Sequence, residues 1–235
     1  MRAAEGAGQL LGGGGGERAG ICWQRLIHAG TLAQPDDLGT IRVLTVRHDR
    51  RVGAAGDDRG PQPTLAGDRV RLRPWRPDDA PAVHAACQDA EIQRWTQVPV
   101  PYAREHAEGF VDGIAAATWA DGGALFAVEP SRGGPLVGSM GLFSPRDGFA
   151  EAGYWTVAAQ RGRGFTAEAL GLLTAWAFRD LGLHRLELHV HPENAGSRAV
   201  AERAGYRAEG LIRQRFLYRG RPSDFILYAR LATDG

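Results

Sequence analysis

The residues best placed to do chemistry are gathered in one stretch. Glu151-Ala-Gly-Tyr-Trp-Thr-Val157 alternates as a strand does, so Glu151, Gly153, Trp155 and Val157 share a face. Ala158-Ala-Gln160 follows, then Arg161-Gly162-Arg163-Gly164-Phe165-Thr166, which opens the strongest helical pattern in the chain. The first turn of a helix carries N–H groups without intrahelical partners, and the aligned peptide dipoles add positive partial charge there. Glycines at 162 and 164 let a ligand come close to the backbone. Such a strand–turn–helix can seat a pyrophosphate, and it serves as readily as a plain structural connection. The dinucleotide signature Gly-x-Gly-x-x-Gly is not met, because Ala167 stands where the third glycine belongs.

Other candidates are weaker. His189 and His191 lie two apart in a strand and share a face, which would suit a metal, but only Glu193 adds a donor nearby and no cysteine does. No metal is expected, and polar residues on a strand face are the plainer reading. There is no Gly-x-Ser-x-Gly elbow. The chain of 235 residues contains no lysine, and all 28 of its basic residues are arginine. That excludes a Walker A phosphate loop, a pyridoxal Schiff base and a protein kinase, each of which needs a lysine. With 28 basic against 27 acidic residues the net charge is +1, so no electrostatic footprint for nucleic acid is expected. Two cysteines, Cys22 and Cys87, make neither a disulfide framework nor a four-ligand zinc site, and a reducing cytoplasmic setting is expected. No run approaches the ~20 apolar residues of a membrane span, and none has the form of a signal peptide.

These residues need a frame. Residues 1–66, with the unbroken run Gly12 to Gly16, read as a low-complexity, disordered extension apart from short runs such as Ile41 to Val46. The folded domain is expected over 67–235. Val70 and Leu72 alternate with Arg71 and Arg73 as a half-buried strand. Pro77-Asp-Asp79 opens a helix through Cys87, and a second helix runs from about Ala103 to Ala117. Strands follow over 124–129, 136–143 and 151–157, then a helix from about Gly164 to Leu181 whose Leu170, Leu173, Ala177 and Phe178 form a buried stripe. Leu186, Leu188 and Val190 mark a strand, 195–204 a short helix, and 206–218 and 224–231 two last strands. The order β-α-α-β-β-β-α-β-α-β-β describes an α+β domain with a mixed, mostly antiparallel sheet, flanking helices and one embedded β-α-β unit.

Two spaced motifs carry a resemblance. Arg161-x-x-Gly164-x-Thr166 resembles the Arg/Gln-x-x-Gly-x-Gly/Ala acyl-CoA signature of the GNAT superfamily of N-acetyltransferases, with Thr166 departing from the preferred Gly or Ala. Asn194-Ala-Gly-Ser197 and Glu202-Arg-Ala-Gly205-Tyr206 resemble that superfamily's downstream block. Arg71-Leu-Arg-Pro-Trp75, Pro77-Asp-Asp79 and Gly153-Tyr-Trp155 are similar to its RimJ/RimL-like branch. The resemblance implies a twisted sheet with a V-shaped splay between central strands, and acetyl-CoA as cosubstrate. Backbone N–H groups from Arg161, Gly162, Arg163, Gly164, Phe165 and Thr166 would hold the pyrophosphate. Backbone of Trp155 and Val157 would pair with the pantetheine arm, and Asn194 would bind it from the other side.

Direct attack of a primary amine on the thioester needs a proton acceptor, donors to the oxyanion and an acid for the sulfur. A strand N–H near Val157 is the expected oxyanion donor. The resemblance implies a tyrosine acid, as many relatives have, where this chain has Ala201, so Ser197 is the candidate acid, with helix capping as its structural alternative. Glu151, facing the cleft, is the candidate base; the alternatives are a solvated strand carboxylate, or a charge that attracts the amine while water takes its proton. The acceptor would be a protein N-terminus or a small-molecule amine, and the protein a monomer or homodimer. A non-catalytic acyl-CoA-binding module is the alternative from another class.

Overall fold

A computed structural model of the chain describes residues 32–35, 41–44 and 59–234. Strands β1 (Leu32–Pro35) and β2 (Ile41–Leu44) pair antiparallel as a sheet of their own. Of the expected 1–66 extension, residues 1–31, 36–40 and 45–58 lie outside the described residues. The boundary at 67 shifts: β3 (Leu65–Ala66) pairs with β4 (Val70–Pro74). Upstream, Gln62 donates to the Leu125 carbonyl (2.9 Å) and the Arg59 guanidinium sits 4.2 Å over Trp119.

The remaining strands are β5 (Ala124–Pro130), β6 (Gly138–Arg146), β7 (Phe149–Thr156), β8 (Arg185–Val190), β9 (Arg207–Tyr218) and β10 (Arg221–Leu231). They join β3 and β4 in an eight-stranded sheet ordered β3-β4-β5-β6-β7-β8-β10-β9, in which β7 and β8 are the one parallel pair. Between β4 and β5 lie α1 (Ala80–Ala86), α2 (Ala90–Trp95), α3 (Arg104–Gly109), a π-helical turn (Phe110–Ile114) and α4 (Ala115–Ala120). Helix α5 (Phe165–Arg179) crosses from β7 to β8, and α6 (Ala195–Arg203) follows β8. The short α2 escapes periodicity because only Ile92 in it is buried; Asp89 starts it by accepting from the Ile92 N–H (3.0 Å).

Both faces of the sheet are covered. On one, Leu170, Leu173 and Trp176 of α5 pack over Phe126, Met140, Leu142 and Leu186. On the other, Val83, Ile92 and Phe110 pack over Leu125, Phe143 and Trp155. Arg73, expected on a solvated strand face, is 7% exposed. It is buried because two carboxylates hold it: Asp79 takes both ends of its guanidinium (2.7 Å each) and Glu129 lies 3.0 Å from Nε.

Two backbone features shape the centre. Phe149, Ala150 and Glu151 pair with Arg185, Leu186 and Glu187, and there the parallel register stops. Beyond that point β7 stays with β6 as far as Thr156, while β8 stays with β10 as far as Val190. A wedge therefore opens between them, the V-shaped splay of the expected fold. Gly138 permits the close approach of β6 on one side of that wedge, since a Cβ there would run into the Trp155 carbonyl. Glu168 accepts from the Arg69 (2.8 Å) and Val70 (3.3 Å) N–H groups and so fastens α5 to the start of β4.

Candidate active site

The wedge holds a cleft of about 620 Å³, bounded by β7, the turn before α5, β8, the start of α6 and the far side of α2. At its phosphate end the backbone does what the glycines require. Gly162 and Gly164 stand at φ +72° and +77°, the left-handed region that other residues adopt only under strain. Nothing lies within 4 Å of where a Gly162 side chain would be. Thr166, the departure from the signature, turns its hydroxyl to Thr156 (2.7 Å) and ties the helix start to the strand end.

The arginines divide their work. Arg161 lines the cleft, pairs with Asp89 and donates from Nε to the Thr156 carbonyl (3.2 Å). Arg163 donates to Gln160 (2.6 Å) and lies over Phe165 (4.6 Å). Sequence reading missed Arg69 and Arg203, whose guanidinium nitrogens approach the Gly164 Cβ position at 3.6 Å. Their signal is spatial only: β4 and the end of α6 bring them to the N-terminus of α5.

The pantetheine assignment needs a correction. The Val157 N–H donates to the Val137 carbonyl (2.9 Å), so it is engaged and cannot serve an arm or an oxyanion. By the two-residue alternation of an antiparallel ladder, the amide of Trp155 also faces β6. Thr156 faces the open side, as its carbonyl's contact with Arg161 shows. The Trp155 side chain, 6% exposed, still lines the cleft.

Asn194 is the N-cap of α6: its Oδ1 accepts from the Ser197 N–H (3.0 Å), which leaves the side-chain amide N–H groups for other partners. Ser197 is therefore capped rather than capping. Its hydroxyl lies 2.9 Å from the phenol of Tyr154, which also reaches the Ser197 carbonyl (3.2 Å). Ala201 is fully buried. Tyr154 was missed because it stands on the opposite face of β7 from Glu151 and Trp155; only the packing of α6 against that face brings it to Ser197.

Glu151 does not line the cleft. It is 5% exposed at the vertex of the wedge, with Oε1 3.3 Å from Nδ1 of His189, and His189 is the one of the two that reaches the cleft. On the far side, Trp95, His191, Tyr218 and Phe225 line the opening, with Trp95 and His191 ring centroids 5.3 Å apart. Burial pushes the Tyr218 hydroxyl up to about 12, and it bonds the carbonyls of Arg94 and Thr96. Tyr102 and Phe110 belong to the core behind them. No group of three or more potential metal ligands occurs among the described residues. No helix among them is long and apolar enough to cross a membrane.

The Arg161 guanidinium holds the Asp89 carboxyl below the usual range. A depressed carboxyl contributes stability that is present above its unfolded value, ~4, and lost as pH falls through the folded value. Asp89→Asn keeps the cap but loses the ion pair. Between neutral pH and ~3 its melting temperature is expected to fall less than that of the parent. Identical acid dependence in the two thermal titrations would show that the pair does not couple α2 to the turn.

Residues 69–207 match the acetyltransferase (GNAT) domain family. The uncharacterized N-acetyltransferase YoaA of Bacillus subtilis is 27% identical over 169 residues, covering 71% of this chain and 96% of that protein. RimJ of Mycobacterium smegmatis, solved with a CoA-disulfide, is 28% identical, with a TM-score of 0.64 over 72% of this chain and 88% of its own. RimL, the ribosomal L7/L12 alpha-N-protein acetyltransferase, solved with CoA, shares the fold at 20% identity and a TM-score of 0.66, over 74% of this chain and 100% of its own. The chain belongs to the GNAT acetyltransferase family and is an N-acetyltransferase dependent on acetyl-CoA.

Proposed function

We propose that this protein moves the acetyl group of acetyl-CoA onto a primary amine, either a protein N-terminus or a small-molecule amine, in the cytoplasm. The observation that carries the reading is the wedge itself. One parallel register ends at Glu151, and a phosphate-compatible turn, a strand edge and the capped start of α6 all face the same opening.

The N–H groups from Arg161 to Thr166 receive the pyrophosphate, with Arg69, Arg161 and Arg203 supplying positive charge around it. Thr156 pairs with the pantetheine arm in place of the engaged Val157, and the Asn194 amide donates to the arm from across the wedge. The thioester then lies near the vertex, between Ser197 on one side and the Glu151 region on the other. The amine attacks the carbonyl carbon, the C–N bond forms and the C–S bond breaks. Ser197, in contact with Tyr154, returns a proton to the sulfur. Trp95, His191 and Tyr218 face the incoming amine. RimL is named for a ribosomal-protein acceptor, and a peptide N-terminus heads the acceptor screen on that ground.

Titration calorimetry of the full chain with acetyl-CoA, desulfo-CoA and ATP tests the site, and a screen of peptide N-termini and small amines tests the reaction. Micromolar binding of both CoA species, none of ATP, and turnover with at least one amine are expected. Binding without turnover would leave an acyl-CoA-binding module. No heat with acetyl-CoA would make the Arg161–Thr166 turn a structural connection.

A further inference from the structure

We infer that His189 is the residue that takes the proton from the acceptor amine, and that Glu151 acts through it as a positioning residue. The inference rests on the transferase reading above and concerns the vertex of the same wedge.

The side chains of His189 and Glu151 are 4% and 6% exposed, and their 3.3 Å contact joins His189 Nδ1 to Glu151 Oε1. Both atoms are buried without a hydrogen-bonding partner, and the 3.3 Å contact between them is an ion-pair distance, so each is the other's nearest means of satisfaction. Other carboxylates held inside this arginine-rich chain sit against guanidinium groups: Glu129 against Arg71 and Arg73, Asp79 against Arg73, and Glu187 against Arg185. Glu151 faces a histidine alone. A carboxylate on Nδ1 fixes the tautomer that carries its proton there and leaves the Nε2 lone pair bare. Because His189 borders the cleft while its Nδ1 is sealed, Nε2 is the nitrogen turned towards the reacting groups. The ring cannot swing freely, since Phe216 stands edge-on to it at 5.1 Å.

The charged surroundings leave this pair to itself. On the same strand Glu187 is held by Arg185 (2.7 Å), and His191 accepts from the Glu193 N–H (3.3 Å). The residues facing His189 from β9 and β10 are Phe216 and Leu227. Across the opening, Glu91 and Glu193 both lie against Arg94 (4.0 and 3.3 Å).

The step balances as follows. His189 Nε2 takes one proton from the ammonium form of the acceptor, and the imidazolium so formed shares its Nδ1 proton with Glu151. The neutral amine attacks the thioester, the C–N bond forms and the C–S bond breaks. Ser197 protonates the departing thiolate, which leaves as CoA thiol, the second amine proton replaces the one Ser197 gave, and His189 returns its proton to solvent.

The test is the pH profile of kcat/KM for the acceptor in the parent, His189→Gln and Glu151→Gln enzymes, with acetyl-CoA affinity measured by calorimetry in each. His189→Gln is expected to lose about 100-fold in kcat at neutral pH, within the usual range for a positioned base. It should lose the acidic limb of the profile and regain rate at high pH, where the amine is already neutral, with acetyl-CoA affinity unchanged. Glu151→Gln should keep that limb, displaced to lower pH. Added imidazole should restore part of the rate to His189→Ala. An unchanged limb in His189→Gln, with a rate within threefold of the parent, would overturn the inference and leave the transferase reading standing. Absence of turnover in the parent would overturn the reading and the inference together. If His189→Gln fails to bind acetyl-CoA, Glu151→Gln decides: a displaced limb supports the pair and an unmoved one refutes it.

Discussion

Arg73→Met will destabilise the fold by about 3–5 kcal/mol at neutral pH, the range for removing one partner from a buried ion pair. The arginine joins the end of β4 to Asp79 ahead of α1 and to Glu129 on β5. Burial alone would raise both carboxyls; the hydrogen bonds and charge of Arg73, together with those of Arg76 at Asp79 and of Arg71 at Glu129, outweigh it and hold both below the ordinary range. Methionine fills similar space and supplies none of those bonds. Glu129 keeps Arg71, and Asp79 keeps the Arg76 N–H (2.9 Å), which places the loss nearer the lower end of the range. The sign with pH separates this from simple mispacking. In the parent, the stability contributed by these carboxyls is present above ~4 and lost as pH falls through their folded values. In the variant, burial without Arg73 favours their neutral forms, so the penalty shrinks on acidification. Urea midpoints at pH 7 and pH 4.5 should therefore differ between variant and parent by less at the lower pH. A small gap would show that Arg73 contributes no more than a surface arginine does, and a large gap equal at both pH values would mean mispacking rather than a lost ion pair.

Arg73 also shows where sequence reasoning stops. Its alternation with Leu72 reads as a solvated position, and only Asp79 and Glu129, one of them on another strand, turn it into a buried one. The strand–turn–helix from Glu151 to Thr166 was legible because every part of it is local: alternation, two glycines and a helical stripe within one continuous stretch. The fold class followed from the same patterns and from the resemblance. The direction of the Val157 amide was not legible, because Val137 takes it while donating its own N–H to Val128 (2.8 Å), a bridge between strands that no periodicity encodes. The domain starts earlier than composition suggests for a related reason: Arg59 and Gln62 lie in a loop of low-complexity composition and are fixed by distant partners, Trp119, Gly123 and Leu125. Alternation put Glu151 on the right face of β7, but the His189 ring stands between that side chain's contact and the cleft. Tyr154 was lost to the same rule, since a strand's other face looks like core until α6 is laid on it.

That pairing of Tyr154 with Ser197 carries an expected effect on chemistry as large as that of His189. A thiolate departs most easily when a proton reaches it as the C–S bond lengthens, and a hydroxyl pair can deliver one only if its members are in contact. Here they are, at 2.9 Å, beside the Asn194 cap that fixes where the first turn of α6 begins. Tyr154→Phe and Ser197→Ala should each lower kcat about 100-fold, which is roughly 2.7 kcal/mol of barrier, and the double variant should be little worse than either. Members of one proton path lose their function together, whereas independent contributors would multiply. The KM for acetyl-CoA separates the catalytic role from a bracing one. If the phenol only holds α6 against β7, Tyr154→Phe will weaken acetyl-CoA binding and melt earlier, with kcat nearly retained once the site is saturated. If the phenol feeds the serine, affinity stays and turnover falls. A fall in Ser197→Ala alone would assign the acid to the serine hydroxyl without Tyr154. A fall in Tyr154→Phe alone would assign the acid to the phenol on β7, since the fully buried Ala201 of α6 offers no side-chain proton of its own.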